Sequence, residues 1–205
     1  MRRPPSPIAR RPARGVSLVI VLMILVVVSV LGIGSSQVAM LGERTARHDR
    51  DTQIAFEAAE AALVDAQYDI RGPNSSANSR VALFSGLNKK DFVDGCGDQS
   101  TNRGLCTPST TDKPVWAQVD FTATGSDAHT AAYGEFTGRS LDTGTSGIRP
   151  AQAPRYVIEV LEDRSSGANA TIGQSEKTFL YRVTAMGFGP RTETQVVLQM
   201  EFRKE

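Results

Sequence analysis

The sequence predicts an α+β protein in which one long N-terminal helix packs on a small antiparallel β-sheet. Three observations carry that prediction. An uncharged apolar run occupies residues 16–33, a Gly- and Pro-free segment rich in helix formers occupies residues 43–70, and short β-branched, aromatic segments gather toward the C-terminus. With 205 residues and 40% hydrophobic composition, the chain suffices for one globular domain plus an extra segment.

The apolar run reads VSLVIVLMILVVVSVLGI, and its 18 residues are near the minimum for crossing a bilayer core. Five arginines (Arg2, Arg3, Arg10, Arg11 and Arg14) precede it without a single acid, which holds the N-terminus in the cytoplasm and sends the body outward. Without those five, 18 basic residues face 22 acidic ones, so the rest of the chain is mildly acidic. That balance argues against general nucleic-acid binding, which needs a basic face. An ordinary secretory signal would end in a small-x-small cleavage site after the apolar run. The sequence there, GIGSSQVAMLGE, offers no clean example. A basic leader instead ends in Gly15 directly before Val16, so a cut at that point would leave the apolar run in the mature chain.

Helical character continues beyond the membrane. Ala55, Ala58, Ala59, Ala62, Leu63 and Ala66 recur at three- and four-residue spacing and form a narrow small-residue stripe, with Phe56 beside them in the packing set. Glu57, Glu60 and Asp65 are expected to face elsewhere. Arg71-Gly72-Pro73-Asn74 is a helix stop, with Gly where a left-handed C-cap is wanted and Pro just beyond. A continuous helix from Val16 to Ile70 would measure roughly 80 Å. Gly32, Gly34 and the Ser35-Ser36 pair are expected to loosen it near the membrane exit. The stripe fits packing inside the chain's own domain or against another subunit.

After Gly72 the composition shifts to Asn, Ser, Gly, Asp and Thr. Strands are expected at 115–121 (VWAQVDF), 155–162 (RYVIEVLE), 179–187 (FLYRVTAMG) and 194–202 (TQVVLQMEF). Turn residues at 188–192 should pair the last two antiparallel. The alanine stripe is the natural cover for one face of the resulting sheet. Cys96 and Cys106 are the only cysteines, and in an exported domain an even count reads as one disulfide, closing a short polar loop.

Little points to catalysis, and no cofactor or metal is expected. Of the two histidines, His48 lies among helix charges and His129 in a polar loop beside Asp127 and several serines, a neighbourhood too common to signal a triad. Asp94, Asp98 and Asn102 could supply oxygen ligands to calcium but lack the spacing of a calcium loop, and a solvated loop accounts for them better. The scattered basic residues Arg80, Lys89, Lys90 and Arg103 read as ordinary surface charge.

A basic leader ending in Gly15, a hydrophobic helix and an amphipathic continuation together resemble a type IV prepilin. More narrowly, LGER at 41–44, Asp49-Arg50-Asp51 and AFEAAEAAL at 55–63 resemble the N-terminal region of the PilX family of minor pilins. YRVTA at 181–185, GFG at 187–189 and TQVVLQ at 194–199 resemble the family's C-terminal strands, whereas residues 74–154 find no counterpart. The resemblance implies cleavage by prepilin peptidase between Gly15 and Val16, methylation of the new N-terminus, and a pilin-like fold. It divides the chain into a leader (1–15), a transmembrane part of the helix (16–40), an amphipathic periplasmic part (41–72) and a periplasmic head (73–205). The implied partners are inner-membrane lipid, other minor pilins, the major pilin and a large tip adhesin.

One position departs from the common pilin pattern. Most pilins carry glutamate five residues after the cleaved glycine, and here that position is Ile20. A carboxylate in the hydrocarbon costs several kcal/mol unless it finds a partner, and the resemblance makes that partner the N-terminal amine of a neighbouring subunit. A subunit that enters first has no predecessor, so Ile20 marks an initiating or tip subunit, although improved membrane retention alone would also explain it. The function expected is therefore priming of pilus assembly. The alternatives are a K-type minor pseudopilin of type II secretion, for whose inserted domain residues 72–112 look short, and a membrane-anchored periplasmic binding or sensor domain, which needs no glycine cut and calls for a cytoplasmic output domain.

Overall fold

The computed structural model describes residues 16–87, 89–110, 113–141, 147–163 and 179–204. Gly15 and the rest of the basic leader lie outside the described residues. The chain forms two compact units, Met1–Arg47 and His48–Glu205. The long helix, α1 (Val16–Arg71), contributes to both. It runs without a break, so the glycines and serines expected to loosen it do not interrupt its hydrogen bonding. It stops as its sequence dictates. Gly72 adopts φ +72° and its N–H donates to the Tyr68 carbonyl at 2.7 Å, closing the last turn.

In the second unit, five strands form one mixed sheet: β1 (Leu105–Cys106), β2 (Ala131–Ala132), β3 (Arg155–Glu162), β4 (Phe179–Phe188) and β5 (Gln195–Phe202). The three long strands lie where alternation places them and pair antiparallel, with Ile158 opposite Val183 and Val183 opposite Met200. The sheet is not purely antiparallel as expected. The free edge of β3 is shared by two short segments, β1 running parallel beside Ile158 and Glu159 and β2 antiparallel beside Arg155 and Tyr156.

The expected strand at 115–121 does not form. Val115–Ala117 is a single 3-10 turn. Val115 and Phe121 are buried, and Trp116 and Val119 half-buried, in a layer with Cys96, Cys106, Val157 and Phe188. Val157 alternates with Tyr156 and Ile158, so this layer covers the sheet face opposite the helix. The alternating apolar residues of 115–121 thus serve as a lid of turns.

The other face carries the main core. Tyr156, Ile158, Val160, Tyr181, Val183 and Ala185 point into it and meet Ala62, Ala66 and Ile70 of α1. Phe84 and Phe92 complete an aromatic group around Tyr181, with ring centroids 5.3 and 5.9 Å from it. Ala55, Ala58 and Ala59 are also fully shielded, and Leu63 packs against the core at its rim. Phe56 does not join them. It is 37% exposed, one position off the buried seam. Asp65, expected to face outward, is fully buried.

The helix and β4 approach closely at Gly187. A methyl group there would overlap backbone atoms of Ala55, Ala58 and Ala59. Glycine at 187 facing alanine on the helix therefore sets the spacing between the two layers. Gly187→Ala should lower the unfolding free energy by roughly 1–3 kcal/mol by forcing the layers apart. Gly42→Ala, where an added methyl meets nothing within 4 Å, should not. Chemical denaturation of the two variants checks this, and an unchanged midpoint for Gly187→Ala would refute the close-packed seam.

Candidate functional site

The functional surface begins with the apolar part of α1. From Val16 to Gly42 the helix carries no charged residue. Its most apolar 18-residue stretch has a mean hydropathy of 3.0 and none of it is buried. The side chains from Leu18 to Leu41 are all exposed, Ile20 by 52%, so the helix has no packing partner among the described residues of this unit. Such an all-round apolar surface calls for lipid or like helices. Three of its hydroxyls are already satisfied: Ser29 donates to the Leu25 carbonyl at 2.7 Å, Ser35 to Leu31 at 2.9 Å and Ser36 to Ile33 at 2.9 Å. That back-bonding removes the donors that would otherwise be orphaned in hydrocarbon. Charge returns at Glu43, which pairs with Arg47 one turn on.

The head is fastened to α1 by two carboxylates one turn apart. Asp69 is fully buried and receives Arg80 through Nε at 3.0 and 3.1 Å and Nη2 at 2.7 Å. The Tyr156 hydroxyl adds a third donor group at 2.9 Å. Burial first, and the Asp69 carboxylate second, push the Tyr156 hydroxyl well above its ordinary pKa, so it stays a donor. Arg80 also donates to the Arg103 carbonyl at 2.7 Å and stacks over the Phe136 ring at 3.5 Å. Asp65, one turn earlier, accepts from the Gly134 amide at 2.8 Å and the Thr137 hydroxyl at 2.5 Å. The middle region, for which the sequence offered no plan, is thus tied to the helix through these two side chains. One signal was available, because Asp65 and Asp69 continue the three- and four-residue spacing of Ala62 and Ala66.

Cys96 and Cys106 form the expected disulfide, with both residues buried. Closing a loop of this length stabilises by roughly 2–3 kcal/mol in the chain-entropy view. The loop is also braced, from outside by Arg103 reaching Glu135 at 2.8 Å and from within by the Asn102 side chain accepting from the Gln99 amide at 3.2 Å. Asp98 is engaged by Gln99 at 2.8 Å. No group of three potential metal ligands occurs among the described residues. His129 Nδ1 lies 2.8 Å from the Cys96 carbonyl, and no nucleophile–histidine–carboxylate relay forms among the described residues. What the arrangement can do is hold the segments of the head together on the second part of α1.

Desolvation raises the Asp65 pKa, outweighing its hydrogen bonds from Thr137 and Gly134. Its folded pKa therefore exceeds its unfolded value. The associated stability is fully present below about pH 4 and is lost as pH rises through the raised pKa. Asp65→Asn keeps one acceptor and removes the titration. The wild type should gain stability relative to Asp65→Asn as pH falls from neutral toward about 4, measured by chemical denaturation across that range. Parallel profiles would show that Asp65 titrates normally.

Two family matches agree with these features. The PilX N-terminal family matches residues 14–64, the leader's last residues and most of α1. The family described as type IV pilus assembly protein PilX C-term matches residues 102–204, taking in the whole sheet. No curated protein and no solved structure matches the chain. An exposed apolar helix and a disulfide-stapled head fit a membrane-anchored pilin, whose family role is structural and involves other pilus components. The chain belongs to the PilX family and is a minor pilin of the type IV pilus.

Proposed function

We propose that this chain primes type IV pilus assembly and sits at the pilus tip, in complex with other minor pilins and a large tip adhesin, and that it has no enzymatic role. The observation that supports this reading is Ile20. It lies within the uncharged stretch of α1, with its side chain exposed, at the position where most pilins carry glutamate. An initiating subunit has no earlier amine to neutralise, and an isolated carboxylate at that depth would cost several kcal/mol. In this reading the cut after Gly15 leaves Val16 as a methylated N-terminus. The bare helix then enters a bundle of like helices at the inner membrane, and the head lies in the periplasm until the filament carries it to the cell surface. Specificity rests on helix packing and on the head's surface, through contacts with minor pilins, the major pilin and the adhesin.

Intact mass and N-terminal sequence of the membrane-bound protein, with and without prepilin peptidase, test the maturation step. A chain beginning at Val16 only when the peptidase is present is the expected result. A start near Met1 in both, or after Ala39, would remove the assembly mechanism. Ile20→Glu should then cause a several-fold loss of surface pili with the chain still membrane-bound. Normal piliation, with the protein distributed along the filament shaft, would overturn the tip assignment.

A further inference from the structure

Two arginines of the head are buried to the same extent and are accommodated very differently. Arg80, 4% exposed, has Asp69 as a close counter-ion, a carbonyl acceptor and an aromatic face. Arg155, 5% exposed, opens β3. Its Nε donates to the Thr130 hydroxyl at 2.6 Å and its Nη2 to the Thr130 carbonyl. Among the described residues, no carboxylate comes within ion-pairing distance, and Nη1 has no acceptor.

Glu135 is the acid whose charge acts on Arg155, but both its oxygens are taken, one by Arg103 at 2.8 Å and the other by the Ala132 amide at 3.0 Å. Arg103 itself adds a repulsive charge, and burial disfavours the Arg155 cation. A guanidinium withdrawn from water without a counter-ion is strongly unfavourable, and the buried arginine nearby shows how this fold satisfies one.

We propose that Arg155 and Thr130 form a site for a small monovalent anion of carboxylate size, held by the unused guanidinium N–H groups on the sheet face opposite α1. A planar guanidinium suits a carboxylate through paired N–H donors. That group could be a free ion or the side chain of an acidic residue on an adjoining pilus component.

The test uses the full chain in detergent micelles. Thermal unfolding is followed by fluorescence of Trp116, the single tryptophan, while formate or chloride replaces a bulky sulfonate at constant ionic strength. The wild type should show a saturable rise in Tm on the order of 5 °C. Arg155→Met should abolish the rise. Arg191→Met, an exposed arginine beside Asp51, should keep it. Should Arg155→Met fail to fold, chloride NMR line broadening on the wild type, reversed by formate, reads the same site. A flat wild-type Tm without line broadening, or an equal rise in Arg155→Met, would overturn the proposal. Chains isolated with their pilus partners separate the two sources. Loss of chloride broadening there supports a partner's carboxylate as the occupant, and its persistence supports a free ion.

Discussion

The head depends on how closely a helix and a strand can approach. Two backbones can lie nearly in contact only where neither carries a bulky side chain, and here that place is Gly187 of β4 against Ala55, Ala58 and Ala59 of α1. Further along α1, Ala62, Ala66 and Ile70 share one core with Tyr156, Ile158, Val183, Phe84 and Phe136. Small side chains on this face of the helix allow the approach at Gly187. Helix formers without β-branching make that possible, because alanine contributes propensity as well as thinness.

A small-residue seam stabilises modestly per residue, since alanine buries little apolar surface. The polar network at the end of α1 adds what the seam lacks, which is direction. Asp69 gathers Arg80 and Tyr156, Arg80 holds the carbonyl of Arg103, Arg103 holds Glu135, and Glu135 holds the amide of β2. Segments with little regular structure are so placed in one arrangement relative to helix and sheet. Removing one partner of such a buried pair typically costs about 3–5 kcal/mol, because the other charge is left without compensation. The disulfide acts on the same region from the opposite sheet face, where β1 ends at Cys106.

Legibility in the sequence followed the strength of the periodic signal. β3, β4 and β5 were legible because each runs over eight or more residues rich in β-branched, aromatic and other apolar side chains. β1 and β2, of two residues each, have no period to detect, and their pairing with β3 is a tertiary event. Residues 115–121 misled for a physical reason: apolar side chains in a short segment record burial rather than strand geometry, and a turn lying over a sheet buries Val115 and Phe121 as a strand would. Asp65 misled because charge was taken to mean exposure, although a carboxylate supplied with an amide and a hydroxyl can be buried. The Cys96–Cys106 bond was legible from count and compartment. The Arg80–Asp69 pair was not, since nothing local connects residues eleven positions apart across a helix stop.

The two parts of α1 obey different solvent rules although they share one unbroken hydrogen-bond ladder. In the first part Ser29, Ser35 and Ser36 are satisfied by the helix itself and no charge interrupts the surface, so orientation about the axis carries little penalty in lipid. In the second part the stripe of alanines and the two buried aspartates fix which face meets the sheet, because rotation would take Asp65 and Asp69 away from the donors that satisfy them. In a span free of charged residues, a carboxylate at the position of Ile20 would impose an orientation and a required neighbour.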